Sequence, residues 1–404
     1  MIRKVISFGI LFSLLLVYTL VYTEEYIAKA VLTIPFGEAD SLLGFIPPVA
    51  EIGQNGDTLH FELGEAASSW DVQGGKFYVV DGVKANILVY DLNGKYIKSI
   101  GKWREETDEV EVKAVSGKIK KIKPSHIGRR PNIPGVIYGD ENEKKYFERV
   151  GDIAVDGNGN IYVTARYNEE RDWPSRKGKT YTASAYGLMK FSPEGKLLEI
   201  IDKFGEYGPE EIRDTDILFS DAYGNVGMSV GIKPEGSVFV EFDSQGRIIY
   251  MDKKNRPRRD GKGLYYEYKP LNNEKKIGSI DLLSFYVKDM KRNGIVDSFY
   301  ILTEPQIRRS HFELDGEGNL YFDVGWALHK YDQKGNLLAI INPPRDTVRT
   351  FKHPMGGMGT VSKIMANGDI YYAYMSDQGF VVVKQELQPE TKGQILRPAV
   401  KPEK

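Results

Sequence analysis

The chain of 404 residues has no cysteine. Disulfide staples, thiolate catalysis, cysteine zinc sites and lipidation of a mature N-terminal cysteine are therefore excluded. Histidine is scarce: His60, His126, His311, His329 and His353 are all there are, and none stands at H-x-x-x-H or H-E-x-x-H spacing. No zinc-binding helix is encoded. Net charge is nearly absent, with 55 Lys+Arg against 56 Asp+Glu. A bulk nucleic-acid binder is strongly basic, so that class is excluded as well. There is no G-x-S-x-G elbow and no P-loop. The Gly-rich run Met355-Gly356-Gly357-Met358-Gly359 lacks the Lys-Ser/Thr that grips phosphate. It reads as a loop, or as a backbone nest for an anion.

Aromatics and glycine are plentiful, with 25 Tyr, 18 Phe and 42 Gly. Tyr and Phe suit pleated strands and Gly suits tight turns, so the balance points to an all-β chain of many short strands. One half-unit reads apolar strand, Asp-x-x-Gly-Asn turn, apolar strand. It is clearest from Ile153 through Asp156-Gly157-Asn158-Gly159-Asn160 to Val163, and again around Asp315-Gly316-Glu317-Gly318-Asn319. Weaker copies surround Asp221 to Asn225, Gln73 to Lys76 and Ala366 to Asp369. A second half-unit pairs an aromatic with Asp or Ser and a Gly-basic or Gly-Asn turn, as in Tyr90-Asp91-Leu92-Asn93-Gly94-Lys95. Phe191 to Lys196, Phe242 to Arg247 and Tyr331 to Asn336 repeat it. Both are hairpin signals, so each full unit is four short antiparallel strands, which is one propeller blade.

The stretch from Gly151 to Thr164, with Leu188-Met189-Lys190-Phe191 and Pro193-Glu194-Gly195-Lys196 after it, resembles an NHL repeat. So does the stretch from Trp70 to Gly101. The resemblance covers most of residues 55–388 and implies a β-propeller of about six four-stranded blades, of the six-bladed TolB-like or NHL type. Units start near Ala67, Gly151, Asp216, His311 and Val361, with a degenerate one at 282–303. The last unit lacks a fourth strand, and residues 59–64 match the closing position. They are expected to supply it, which removes an exposed sheet edge.

The one long uncharged, mostly apolar run covers residues 5–22, behind Arg3 and Lys4 and ahead of Glu24 and Glu25. That charge order predicts export with the N-terminus left in the cytoplasm. An 18-residue run is long for a signal-peptide core and just long enough to span as a helix, so residues 1–22 read as a signal anchor or a signal peptide. The protein is expected to face the periplasm from the inner membrane, or to be secreted. Residues 23–54 then form a linker, 55–388 the propeller, and 389–404, rich in Pro, Lys and Glu, a disordered tail.

In propellers of the kind this chain resembles, turns within hairpins lie on one face of the disc and the remaining connections on the other. The long connections here, 102–149, 165–187, 202–215, 252–280 and 341–360, therefore crowd one face. They carry net +9 while the rest of the chain carries −10. A positive face on a rigid scaffold suits an anionic partner. The candidate ligand-binding residues are Arg166, Arg171, Trp173 and Tyr181 in one loop, Arg256, Arg258 and Arg259 in another, and Arg308 with His311. Arg and aromatics together suit planar anionic or sugar groups.

Asp156 to Asn160 is not a calcium loop of the EF-hand kind, because Tyr167 stands where the bidentate Glu is needed. No catalytic residue, metal ligand set or cofactor is assigned. The expected function is a monomeric, envelope-exposed binding propeller that engages a protein or anionic envelope component. The alternative is a calcium-dependent propeller hydrolase or lyase with a metal in the channel.

Overall fold

The computed structural model describes residues 26–45, 49–52, 58–62, 67–103, 106–126, 143–233, 236–252, 258–260, 264–270, 281–289, 294–303, 312–323, 327–342, 361–376 and 379–387. The described residues form strands joined by tight turns. Strand β1 (Tyr26–Pro35) is followed by a small hairpin, β2 (Val49–Ile52) and β3 (Thr58–Glu62). The first blade is β4 (Ala67–Gln73), β5 (Lys76–Asp81), β6 (Asn86–Asp91) and β7 (Tyr96–Ile100). Next come the hairpin β8 (Val110–Lys113) and β9 (Ile119–Lys123) and the short pair β10 (Ser125–His126) and β11 (Lys144–Lys145). The second blade is β12 (Arg149–Val155), β13 (Ile161–Asp172), β14 (Thr180–Phe191) and β15 (Leu197–Ile201). The third is β16 (Ile212–Ser220), β17 (Val226–Ile232), β18 (Ser237–Phe242) and β19 (Ile248–Asp252). The fourth is β20 (Arg258–Arg259), β21 (Tyr265–Pro270), β22 (Asp281–Asp289) and β23 (Gly294–Thr303). The fifth is β24 (Phe312–Leu314), β25 (Leu320–Asp323), β26 (Leu328–Tyr331) and β27 (Leu337–Ile341). The sixth is β28 (Val361–Ile364), β29 (Ile370–Ser376) and β30 (Gly379–Leu387), completed on its outer edge by β1. The chain is an all-β, six-bladed propeller.

Ring closure differs from the sequence expectation. The fourth strand of the last blade is β1, paired antiparallel to β30 from Tyr26↔Leu387 to Pro35↔Gly379. Residues 58–62 pair instead with Val49–Ile52. The propeller therefore begins at Tyr26, inside what the sequence suggests is a linker. The reason is packing: Leu32 and Ile34 of β1 are buried with Phe380, Val382, Trp70 and Phe77 between the sixth and first blades. Gly379 accepts the close approach, since a Cβ there would stand 2.0 Å from the Ile34 carbonyl oxygen. Lys84 then ties down the chain after β1. Its Nζ donates to the carbonyls of Gly37, Glu38, Ala39 and Leu42 at 2.7 to 3.2 Å.

The tight turns lie together on one face. Asp156, Asp221 and Asp315 each accept the backbone N–H groups two and four residues on, within 3.0 Å. Asp156 thus caps its turn. Neighbouring turns are joined by Gly157 N–H to Gly224 O (3.0 Å) and Gly316 N–H to Ala366 O (2.7 Å).

The strand registers place one residue row through the whole disc. In the first strands it holds Asp71, Ala154, Phe219, Arg258, Glu313 and Lys363. Paired to these in the second strands are Tyr78, Tyr162, Gly227, Tyr266, Tyr321 and Tyr371. The buried Asp71 is the hub. It accepts Ser220 Oγ (2.9 and 2.7 Å) and Val155 N–H (2.8 Å), and pairs with Lys363 Nζ at 3.3 Å. One carboxylate thereby joins four blades across the axis.

Truncation of such a buried pair leaves a cation without a counter-charge, which costs about 3–5 kcal/mol. Asp71→Ala is expected to lower unfolding free energy by about that much in urea titration, with Asp71→Leu plus Lys363→Met recovering much of it. A loss below about 1 kcal/mol in the single variant would show that the axis does not depend on this ion pair.

Candidate functional site

The second blade carries the feature that sequence reading took for loops. Strands β13 and β14 run twelve residues each and pair without a break from Ile161↔Phe191 to Asp172↔Thr180. At about 3.3 Å per residue they reach ~40 Å, well beyond an ordinary blade strand. Beyond the end of β12, strand β9 takes over its edge through Asn168↔Lys123 and Glu169↔Ile122. The hairpin of β8 and β9 then curls round to β15, through the Ala114↔Ile200 bridge and Val115 N–H to Ile200 O at 3.0 Å. Five strands close on themselves. The described parts of 102–149 and 165–187 thus supply strands of a closed sheet, in which Val112, Ala114, Ile122, Tyr167, Ala185 and Ile200 share one apolar core.

A cleft of about 480 Å³ opens between this closed sheet and the third blade. Tyr167, Glu169, Arg171, Lys120 and Asp202 line it, with Tyr186 and Arg213 at its margins. Glu169 is nearly buried, and Arg171 Nε donates to its Oε1 at 2.5 Å. Its buried Oε2 has no hydrogen-bond partner among the described residues, and Lys120 Nζ stands 3.4 Å away. Lys120 also stands 3.8 Å from Asp202, whose two oxygens accept Ser116 N–H and Oγ–H at 2.9 Å. Burial, with the Glu169 and Asp202 charges beside it, pushes the Tyr167 hydroxyl well above its ordinary range, so it remains a donor. A buried carboxylate, an ammonium and a phenol thus lie together in the wall of one cleft.

The tip of the β13–β14 hairpin is the second feature. Trp173 is 40% exposed, with Tyr181 edge-on at 5.4 Å and the Arg176 guanidinium over its ring at 5.1 Å. Arg171, Arg176, Lys177 and Lys179 outnumber Asp172 there. Arg166 lies lower on β13, paired to Glu148 at 2.6 Å and over the exposed Tyr186 ring at 5.7 Å. Structure therefore brings Arg166, Arg171, Trp173 and Tyr181 together on one projection. Arg256, Arg308 and His311 lie outside the described residues, as do the apolar run 5–22, the Gly-rich run 355–359 and the tail from 388. Much of the basic charge expected to dominate this face is neutralised locally: Lys121 meets Glu109 (3.2 Å) and Lys123 meets Glu170 (2.9 Å). Sequence reading missed Lys120, Glu169 and Asp202. Lys120 and Glu169 come from β9 and β13 and Asp202 from the residue after β15, and no local spacing links them.

Arg258 and Arg259 need correction. They form β20, the innermost strand of the fourth blade, not a loop. Arg258 is buried; its Nε donates to Phe312 O at 2.6 Å, one Nη lies 2.7 Å from Glu313, and its guanidinium sits 5.0 Å over Phe219. Arg259 stacks on Tyr265 at 5.9 Å. The adjoining third blade has Gly227 and Glu241 where the second has Tyr162 and Lys190. A Cβ on Gly227 would stand 2.1 Å from the Phe219 ring, so the glycine admits that ring and Arg258 above it. Burial, reinforced by the neighbouring Asp221 carboxylate, pushes the Glu241 carboxyl up to about 8, and burial raises Asp221 too.

Folding therefore raises the proton affinity of Glu241. Its contribution to stability is complete below the unfolded value near 4.5 and is lost as pH rises towards about 8. Denaturation midpoints are expected to fall across that window, and Glu241→Gln, which keeps a neutral donor, to flatten the fall. Identical pH profiles for the two proteins would disprove the shift.

No protein-family model matches this chain, and a search of curated proteins finds no match. Among solved structures the chain is similar to a luciferin-regenerating enzyme, at 11% identity over 90% of this chain and 96% of that one, with a TM-score of 0.36. It is similar to a gluconolactonase of Xanthomonas campestris at 9% identity, over 90% and 100% of the two chains, with a TM-score of 0.35. A streptogramin B lyase shares 10% identity over 90% and 98%, with a TM-score of 0.35.

Proposed function

We propose that this chain is an exported binding propeller of the NHL-like kind, which captures an anionic polymer on the projection of its second blade. The carrying observation is the solvent-facing stack of Arg176 on Trp173 and Tyr181, held past the disc by two twelve-residue strands. Guanidinium beside a partly exposed indole suits sulfate, carboxylate and sugar groups. The polar cleft below, lined by Lys120, Tyr167 and Arg171, supplies contacts to hydroxyl groups of the same ligand.

The axis of the disc supports binding over channel-metal hydrolysis. Of the two carboxylates in its innermost row, Asp71 is engaged by Ser220, Val155 N–H and the Lys363 ammonium, and Glu313 is paired with Arg258 at 2.7 Å, so both are committed to partners within the disc.

The test is binding of the full chain to a sulfated polysaccharide, followed by calorimetry. Trp173→Ala with Arg176→Ala is expected to weaken affinity about tenfold, the equivalent of about 1.4 kcal/mol. Lys177→Ala with Lys179→Ala should reduce the salt dependence. Unchanged affinity in the first variant would refute the tip as the site. Affinity that depends on Trp173 but not on salt would assign the site to an uncharged or protein ligand instead.

A further inference from the structure

The described chain starts on the tight-turn face of the disc. Strand β1 is antiparallel to β30, whose Gly379 end adjoins the connection from β29 on the opposite face; Tyr26 lies at the other end, beside Leu387. Tyr26 and Leu387 border a hollow shared with the turn residues Asp315, Ala366, Gly368 and Asp369. The uncharged run of residues 5–22 ends only three residues before Tyr26. A fully extended linker of that length spans on the order of 10–14 Å. A membrane segment there brings the tight-turn face, and not the projection, to the bilayer.

The rim of that face has a matching composition. Ile27, Ile97, Leu198, Ile248 and Ile295 each lie first or second in the outer strand of a different blade, at its tight-turn end. Their exposure runs from 38% for Ile248 to 59% for Ile295. Outer-strand side chains that point away from the core are ordinarily polar, and the repetition in five blades forms a ring. Basic residues stand beside three of them: Lys95, Lys196 and Arg247 are exposed and close the turns that lead into these strands. Arg247 is paired with Asp243 at 2.6 Å, while Asp91 spends one oxygen on the amides of Asn93 and Lys95. Exposed apolar side chains beside the aliphatic stems of Lys95, Lys196 and Arg247, whose charges are balanced by Asp91, Glu194 and Asp243 in the same turns, match the interfacial zone of a bilayer.

We infer that the rim of the tight-turn face docks on a lipid bilayer, so that the β13–β14 projection points away from the membrane. The inference rests on residues 5–22 being membrane-inserted, and is independent of what the projection binds. The absence of native cysteine makes it directly measurable. Full-length single-cysteine variants Ile97→Cys, Leu198→Cys and Lys177→Cys are labelled with an environment-sensitive fluorophore. They are then reconstituted in vesicles of equal parts phosphatidylcholine and phosphatidylglycerol carrying a headgroup-level nitroxide lipid. The two rim labels are expected to shift to the blue and lose most of their intensity, and the Lys177→Cys label to do neither. In an Ile295→Cys reporter, adding Ile97→Glu and Leu198→Glu should restore intensity while the chain still floats with the vesicles. Equal quenching at rim and tip, quenching unmoved by the two glutamates, or failure to float would each overturn the docking. So would rim labels that become buried only through self-association. Polymer binding at the projection, measured separately, survives any of these outcomes.

Discussion

Asp71 is the point at which four of the six blades meet. A propeller has no continuous backbone bonding between its blades, so something other than strand pairing must hold the innermost strands in register. Here a buried carboxylate does so with three donors of different kinds: a hydroxyl on Ser220, a backbone amide at Val155 and the ammonium of Lys363. Buried ion pairs contribute little net stability compared with an apolar replacement, but they are costly to break. What this one adds is position: it locates the first, second, third and sixth blades relative to one axis.

The other half of the axis uses the same chemistry with the charges exchanged. Arg258 of the fourth blade meets Glu313 of the fifth and lies over Phe219 of the third. Apolar clusters fill the interfaces between the first and second, second and third, fourth and fifth, fifth and sixth, and sixth and first blades. Between the third and fourth, Asp221, Glu241, Arg258 and Arg259 are drawn together, with Tyr250 stacked on Tyr265. The loss of the Tyr and Lys found in the second, fifth and sixth blades accounts for this. Where Lys190 covers Tyr162 and Tyr162 reaches Asp156, the third blade has Glu241, Gly227 and Asp221, and the missing cation comes from the neighbouring blade.

The disc separates its two faces by construction. Turns within hairpins are short because their Asp and Gly residues satisfy the backbone locally, and those turns carry no freedom to bind. Connections on the other face are unconstrained in length, and one of them has grown into a sheet of its own. Closure of that sheet through β8 and β15 gives the projection a packed interior, so Trp173 and Arg176 are displayed on a rigid support. Order at the tip lowers the entropy lost when a ligand is bound.

The blade unit was legible in the sequence because its signal is local: Asp156 to Asn160 and Tyr331 to Asn336 encode their turns within six residues. The starts of the first, second, fifth and sixth units lie where that signal places them. The strand that closes the ring carried no such signal, since β1 and β30 meet only after the whole disc has formed, and 59–64 resembled a repeat end more closely. Alternation of apolar residues in 102–149 and 165–187 was hidden among charges that pair across strands, such as Lys123 with Glu170. Arg258 looked like surface because arginine usually is; only the arrival of Glu313 and Phe219 from other blades makes its burial tolerable. Short-range turn chemistry thus determined the architecture from the sequence alone. Ring closure, the axial ion pairs and the cleft at Glu169 were decided by tertiary structure, because each needs partners that are distant in the chain and adjacent only in the folded disc.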